Sequence, residues 1–214
     1  LYDILLSAIA YQEGEIGVAS EALTRAAQSS QDPMLITRAV RMAVHNRSYK
    51  QSIELGQRWI KFAPEDPQAY IITALAAVMS DQGATAVDIL LEMMAQDEAL
   101  VEARFGQIGE VFLQHAEGHT VQAVLSQLAD FYPDTIEAWL VLAGMAQKNK
   151  DYKGMDDALD MILMLEPANE KTAGYKLISL GEDTVAQAKF ANKFLKENPD
   201  ALVFQLQFAQ FLLR

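Results

Sequence analysis

The sequence predicts an all-α fold built from repeated helix pairs, and three observations carry that expectation. Prolines stand at Pro33, Pro64, Pro133, Pro167 and Pro199, with Pro67 beside the second. Their successive gaps are 31, 69, 34 and 32 residues, the longest being two steps of about 34, a period that marks an internal repeat. A second break falls between the prolines, at Gly14, Arg47-Ser48, Gln82-Gly83, Glu117-Gly118, Lys148 to Asp151 and Gly181. Between breaks the apolar residues recur every three and four positions, as in Trp139-Leu140, Leu142-Ala143 and Ala146, or Ala158-Leu159, Ile162-Leu163 and Leu165. That is a helical period. Strand alternation and Asn-Gly hairpin turns are missing.

Each unit then reads as helix, short turn, helix, short turn. Residues 1–31 carry Ala10, Gly14, Ala19, Leu23 and Ala26, and residues 32–65 carry Ile36, Ala39, Ala43, Tyr49, Ser52, Trp59 and Pro64. Residues 66–99 bring Tyr70, Ala74, Ala77, Ala86, Leu90 and Met93, with Glu98 where the proline would fall. Residues 100–133 bring Phe105, Ile108, Gly109, Phe112, Val121, Leu125, Leu128 and Pro133. The clearest copy is 134–167, with Trp139, Leu142, Ala143, Ala146, Asp151-Tyr152, Leu159, Ile162 and Pro167. Residues 168–199 follow with Leu177, Gly181, Ala188, Ala191, Phe194 and Pro199, and 200–214 read as the first helix of a seventh unit. Asp or Asn beside the prolines caps each following helix, which proline cannot continue from the preceding one. Gly56, Gly106, Gly109 and Gly144 fall inside helices, at up to about 1 kcal/mol each against Ala, so close packing of neighbouring helices is expected there.

These positions, large, small and aromatic in phase over the whole chain, resemble the tetratricopeptide repeat. The resemblance implies a right-handed superhelical solenoid of about six tetratricopeptide helix pairs plus one extra C-terminal helix, running as a single array over 1–214. First helices would line its concave groove and second helices its outer wall. One such pair cannot bury its apolar face alone, so neighbours complete the core.

Composition narrows the function. The chain of 214 residues has 17 basic and 29 acidic side chains, a net charge of −12, and 51% apolar residues. Such a surplus of acid argues against binding nucleic acid or an anionic membrane surface. With no cysteine there is no disulfide, thiolate metal site or cysteine nucleophile. No apolar stretch approaches the ~18 residues of a membrane span, so no direct membrane insertion is expected. The chain opens at Leu1 without Met or a basic leader and closes on the apolar run Phe204 to Arg214, which leads us to expect a piece of a longer protein.

The first 70 residues resemble a narrower group on Leu1 to Leu6, Ile9 to Gly14, Ala26-Ala27, Gln31-Asp32-Pro33, Arg38-Ala39, Trp59 and Pro64 to Pro67. These look like gammaproteobacterial outer-membrane repeat lipoproteins that act as adaptors for periplasmic carboxy-terminal processing proteases. Ser7 and Glu13 depart from that group, which usually has Glu and often Arg there. The resemblance implies a periplasmic chain anchored through a lipid upstream of Leu1, with a cytoplasmic location as the alternative.

Catalytic candidates are few. His115-Ala116-Glu117-Gly118-His119 is superficially similar to a zinc-protease helix, but there Glu must directly follow the first His, and Gly118 lies in a break. We expect a solvated turn. Asp151, Asp156, Asp157 and Asp160 lack the alternating oxygen ligands and central Gly of a calcium loop and read as a solvated helix face. Nine methionines, including Met93-Met94, Met155, Met161 and Met164, fit inter-helix packing better than an adaptable binding surface. No phosphate-cradling glycine loop or nucleophile elbow is present. No enzyme activity, metal or cofactor is expected.

The expected site is therefore the groove. In the repeat family, positions 2, 5, 9 and 12 of each first helix point into it. Mapped here they give Met34, Thr37, Arg41 and Val44; Gln68, Ile71, Leu75 and Val78; Ala103, Gly106, Glu110 and Leu113; Glu137, Leu140, Gly144 and Gln147; and Asn169, Thr172, Lys176 and Ser179. The strongest candidates are Arg41, Val44, Ile71, Leu75, Val78, Glu110, Leu113, Leu140 and Lys176. The Lys and Asn set that clamps a carboxyl-terminal peptide is missing, and the middle of the groove is apolar. This suits a protein or peptide partner anchored by hydrophobic side chains, hence a non-catalytic scaffold or adaptor. The alternative is a structural module for self-association or assembly of an envelope complex, pairing through its ends at Tyr2, Leu5 and Leu6 or Phe204, Phe208 and Phe211.

Overall fold

The computed structural model describes residues 1–212; Leu213 and Arg214, part of the apolar C-terminal run, lie outside them. The described residues form thirteen α-helices and one short 3₁₀ turn, with no strand among them. The helices are α1 (Tyr2–Gln12), α2 (Ile16–Gln28), α3 (Pro33–His45), α4 (Tyr49–Phe62), α5 (Pro67–Met79), α6 (Gly83–Met94) and α7 (Val101–His115). There follow α8 (His119–Phe131), α9 (Ile136–Lys148), α10 (Tyr152–Leu165), α11 (Glu170–Ser179), α12 (Thr184–Glu197) and α13 (Leu202–Leu212).

Local chemistry sets these boundaries. Asp32 and Asp66 accept the backbone N–H of Met34 and Gln68, with Pro33 and Pro67 opening the helices behind them. Asp151, Asn169 and Asp183 cap α10, α11 and α12 in the same way. Such a side chain satisfies one of the four backbone donors that a helix start leaves open. Where Glu98 replaces the expected proline, a 3₁₀ turn (Glu98–Leu100) capped by Asp97 leads into α7.

Each of the six internal breaks holds one residue with positive φ: Gly14, Arg47, Asp81, Gly118, Lys150 and Gly181. Three of these are not glycine. A left-handed turn at such residues costs about 1–2 kcal/mol, which the helices packed on either side sustain. In the third break the turn falls on Asp81; Gly83, expected there, is already the first residue of α6.

Contacts divide the chain into two compact units, Leu1–Ala116 and a second that begins at Glu117. The division lies inside the expected repeat 100–133, between α7 and α8. In the first unit α1 packs on α2, α3 on α4 and α5 on α6, and each hairpin packs on the next. The middle helix α5 touches α3, α4, α6 and α7. At its closest approach to α4, the hydroxyl of Thr73 fills the space that a side chain at Gly56 would need. The buried guanidinium of Arg104 donates to the carbonyls of Met93 and Met94 (3.2 Å for the latter), closing the open C-terminal end of α6.

In the second unit α8 packs on α9, α9 on α10, and α10 on α11. Helix α13 lies against α11, its Phe204 N–H held by Glu170 (2.7 Å). Its core holds Ala173, Leu177, Ala191, Phe194, Ala201 and Phe204, with Phe190 and Phe208 against them. Of the methionines singled out by the sequence, Met93, Met94 and Met155 are buried, while Met164 is exposed.

Candidate interaction grooves

The nine residues expected to face a partner fall into three groups. Arg41 and Glu110 are exposed, and Val44, Leu113 and Leu140 are half-buried. Ile71, Leu75 and Val78 are core residues, exposed by 0%, 2% and 5%. The expected apolar middle of the groove is thus closed to solvent, on a helix that touches α3, α4, α6 and α7. Lys176 is also buried. It forms ion pairs with Asp156 (2.8 Å) and Asp160 (2.6 Å), and the Ser179 hydroxyl donates to Asp156 (2.7 Å). Two members of the acidic run read as a solvated face therefore hold a buried ammonium between α10 and α11.

In the second unit a groove does run along the first helices. Between α9 and α11 lies a cleft of about 340 Å³ lined by Glu137, Leu140, Gly144, Gln147, Lys171 and Tyr175. Between α11 and α13 lies one of about 440 Å³ that shares Lys171 and Tyr175 and adds Ile178, Gln207, Gln210 and Phe211. All four positions expected from α9 line it. On α11 the expected Thr172, Lys176 and Ser179 point into the core instead, and Lys171, Gly174 and Ile178 take their places. Asn169 is the cap of α11, so the helix starts at Glu170. Counting from the first helical residue, as α9 requires, yields the observed lining.

The first unit opens a different cleft, of about 520 Å³, between α1 and α3. Ser7, Ala8, Tyr11 and Gln12 form one wall, Arg38, Arg41, Met42 and His45 the other, and Leu23 of α2 closes the floor. Only Arg41 among these was expected from the sequence to face a partner. The signal for the rest lay in the i, i+3, i+7 spacing of Arg38, Arg41 and His45.

The array ends differ from expectation too. Tyr2 and Leu5 are exposed, but Leu6 is half-buried, and Phe204 is fully buried with Phe208 stacked 6.4 Å from it. The exposed large apolar residues of α13 are Leu202, Val203, Leu206 and Leu212.

Two groups have displaced proton affinities. Asp151 is held below the ordinary carboxylate range by the backbone N–H of Gly154 and by the Gln122 amide. Burial pushes the Tyr70 hydroxyl up, with Glu92 adding to the effect. Tyr70 lies in the core and accepts a hydrogen bond from Gln96 (2.6 Å), so it serves packing. His115 ends α7 and His119 begins α8, both exposed. Among the described residues no group of three or more His, Asp or Glu side chains is placed to hold a metal ion. Among them, no helix is long and apolar enough to cross a membrane.

No protein-family model and no curated protein matches the chain. Solved structures similar to it share little sequence. MamA from Desulfovibrio magneticus RS-1 is 13% identical, over 93% of this chain and 95% of that one, with a TM-score of 0.41. YrrB, described as a TPR protein with an unusual peptide-binding site, is 12% identical over 87% and 99%, at 0.42. PilW, described as a type IV pilus biogenesis factor, is 10% identical over 96% of each chain, at 0.41.

Proposed function

We propose that this chain is a non-catalytic protein-interaction scaffold of the tetratricopeptide kind, which takes a partner segment along α9, α11 and α13. The observation that carries this reading is the pair of adjoining clefts joined by Lys171 and Tyr175. Leu140, Tyr175, Ile178 and Phe211 offer apolar anchor points, and Glu137, Gln147, Gln207 and Gln210 supply a polar rim. A central apolar strip inside a polar border is the pattern of surfaces where a few buried side chains carry the affinity.

Within that reading, the resemblance of the first 70 residues supports an adaptor at the bacterial outer membrane that tethers a periplasmic protease or its substrates. Tethering acts by effective concentration: two partners on one frame meet more often without new chemistry. The test is affinity capture from the envelope of the source organism, wild type beside a Leu140→Asp, Tyr175→Asp variant whose circular dichroism is unchanged. A protease or its substrate retained by wild type and lost by the variant supports the adaptor. Equal capture by both removes the groove as the site.

Self-association is the second reading, favoured by Leu202, Val203 and Leu206 standing exposed on one apolar helix. Sedimentation over a range of concentrations tests it. Dimers that vanish on Leu202→Glu, Leu206→Glu support it, and a monomer at every concentration ends it.

A further inference from the structure

The acidic total hides a basic island. From Pro33 to Pro64 the chain carries Arg38, Arg41, Arg47, Lys50, Arg58 and Lys61 against the single acid Glu54. Residues 66–167 hold 17 acids against four bases, and 168–199 are near balance with four acids and five bases. The basic groups of α4 are partly spent within the fold: the Arg58 guanidinium donates to the Ser30 carbonyl (2.7 Å) and lies 5.5 Å from the Phe62 ring centroid, and Lys61 lies 5.9 Å from it. Arg38 and Arg41 are different. Both are exposed on the α3 wall of the cleft, and neither forms an ion pair with a carboxylate among the described residues. Asp3 of α1 is already bound by Arg25 (2.9 Å), and Glu13, which directly follows the opposite wall, forms no ion pair with Arg38 or Arg41 among the described residues. Arg38 also borders the neighbouring recess that contains Glu65 and Asp66, without pairing with them.

We propose that the cleft between α1 and α3 docks an acidic polypeptide segment. Arg38 and Arg41 take its carboxylates, and Tyr11 and Met42 receive an adjacent apolar side chain. Guanidinium binds a carboxylate through two parallel N–H donors, which fixes orientation as well as charge. The apolar strip between the walls adds contact that a simple counter-ion would not use. A short segment is the occupant that the charge distribution favours. Screening confines the island to a radius of about 8 Å at physiological salt, whereas a nucleic acid or an anionic bilayer would also press on the surrounding acidic surface of a chain at −12. This site lies in the first unit and does not depend on the groove of the second.

The test is selection from a display library of short random peptides on the full chain, run in parallel on an Arg38→Glu, Arg41→Glu variant. Both substitutions are at exposed positions, and circular dichroism confirms folding. The proposal expects wild type to enrich Asp- and Glu-rich peptides that carry one apolar residue. Their affinity should fall about tenfold or more in the variant, and weaken as salt rises from ~50 to ~200 mM. Replacing their acids by amides should abolish binding. Overturning results are equally concrete: no enriched peptide, enrichment without acids, or equal affinity for both proteins. Tighter binding of oligonucleotides or of phosphatidylglycerol vesicles, lost in the variant, would replace the peptide by a polyanion. Dimers of wild type that the variant cannot form would make the occupant a second copy of the chain.

Discussion

The Lys176 ammonium sits 2.6 Å from Asp160 and 2.8 Å from Asp156, one buried cation held by two carboxylates four residues apart on α10. The ring of Phe190 closes a further side, 5.8 Å from the nitrogen. Asp156 is the more enclosed partner and also accepts from Ser179. Asp156→Ala is therefore expected to destabilise the second unit by about 1–3 kcal/mol, since it leaves part of a buried charge uncompensated. Asp160→Ala should cost less. Adding Lys176→Met to Asp156→Ala should recover part of the loss, read as a rise in the urea midpoint of the double variant over the single one.

Gly56→Ala is expected to destabilise the first unit by about 1–3 kcal/mol, although alanine is the better helix former. The added methyl collides with the Thr73 side chain, whose hydroxyl is itself bonded to the Ala69 carbonyl (2.5 Å). Thr73→Ala in the same chain should relieve the collision in part. A thermal-melt double-mutant cycle measures the coupling.

Phe204→Ala should cost about 3–5 kcal/mol. The ring is fully buried and meets Phe194 at 4.7 Å and Phe190 at 6.2 Å, edge to face. Phe208, half-buried on the stacked side, should cost less on truncation. Hydrogen exchange resolved along the chain would show α13 losing protection first in the Phe204 variant.

Acid should loosen the turn that joins α9 to α10. Asp151 binds a proton less readily in the folded chain, so the unfolded chain takes up more protons and stability rises with pH across the interval. The contribution is complete above the ordinary aspartate value of 3.8, and is lost as pH falls from there through the depressed folded value. The same turn holds Asn149, which exchanges hydrogen bonds with Gly118 (2.9 and 3.0 Å). Thermal melts from neutral to strongly acid pH should show wild type losing more than Asp151→Asn below that value.

The helices were legible because their signals are local. A capping acid, a proline at the first turn and a three-and-four apolar period all act within one segment. Groove membership is a different kind of property. Ile71, Leu75 and Val78 occupy the positions that face a groove in an open array, but whether a helix there meets solvent depends on how closely α3 and α7 approach. The signal within α5 was the missing polar stripe: from Ala69 to Met79 only Thr73 is polar, as in a helix enclosed on all sides. On α11 the error was one of phase: Asn169 serves as cap rather than second helical residue, and a shift of two positions turns Thr172 and Lys176 inward. The Arg38–Arg41 wall was masked by summing charge over the whole chain, which cancels a basic hairpin against its acidic neighbours.

The enclosure of α5 also restricts how this protein can diverge. A helix packed by four neighbours has no outward stripe on which substitutions accumulate harmlessly, so each change in its Ala-, Ile- and Thr-rich face must be matched by a change in another helix. Drift is left to the exposed positions of the other helices, among them the open walls of α1 and α3 and of α9, α11 and α13. Specificity can therefore be rewritten at those walls while the hairpin between Pro67 and Met94 keeps its packing, separating the part of the chain that can acquire new partners from the part that cannot.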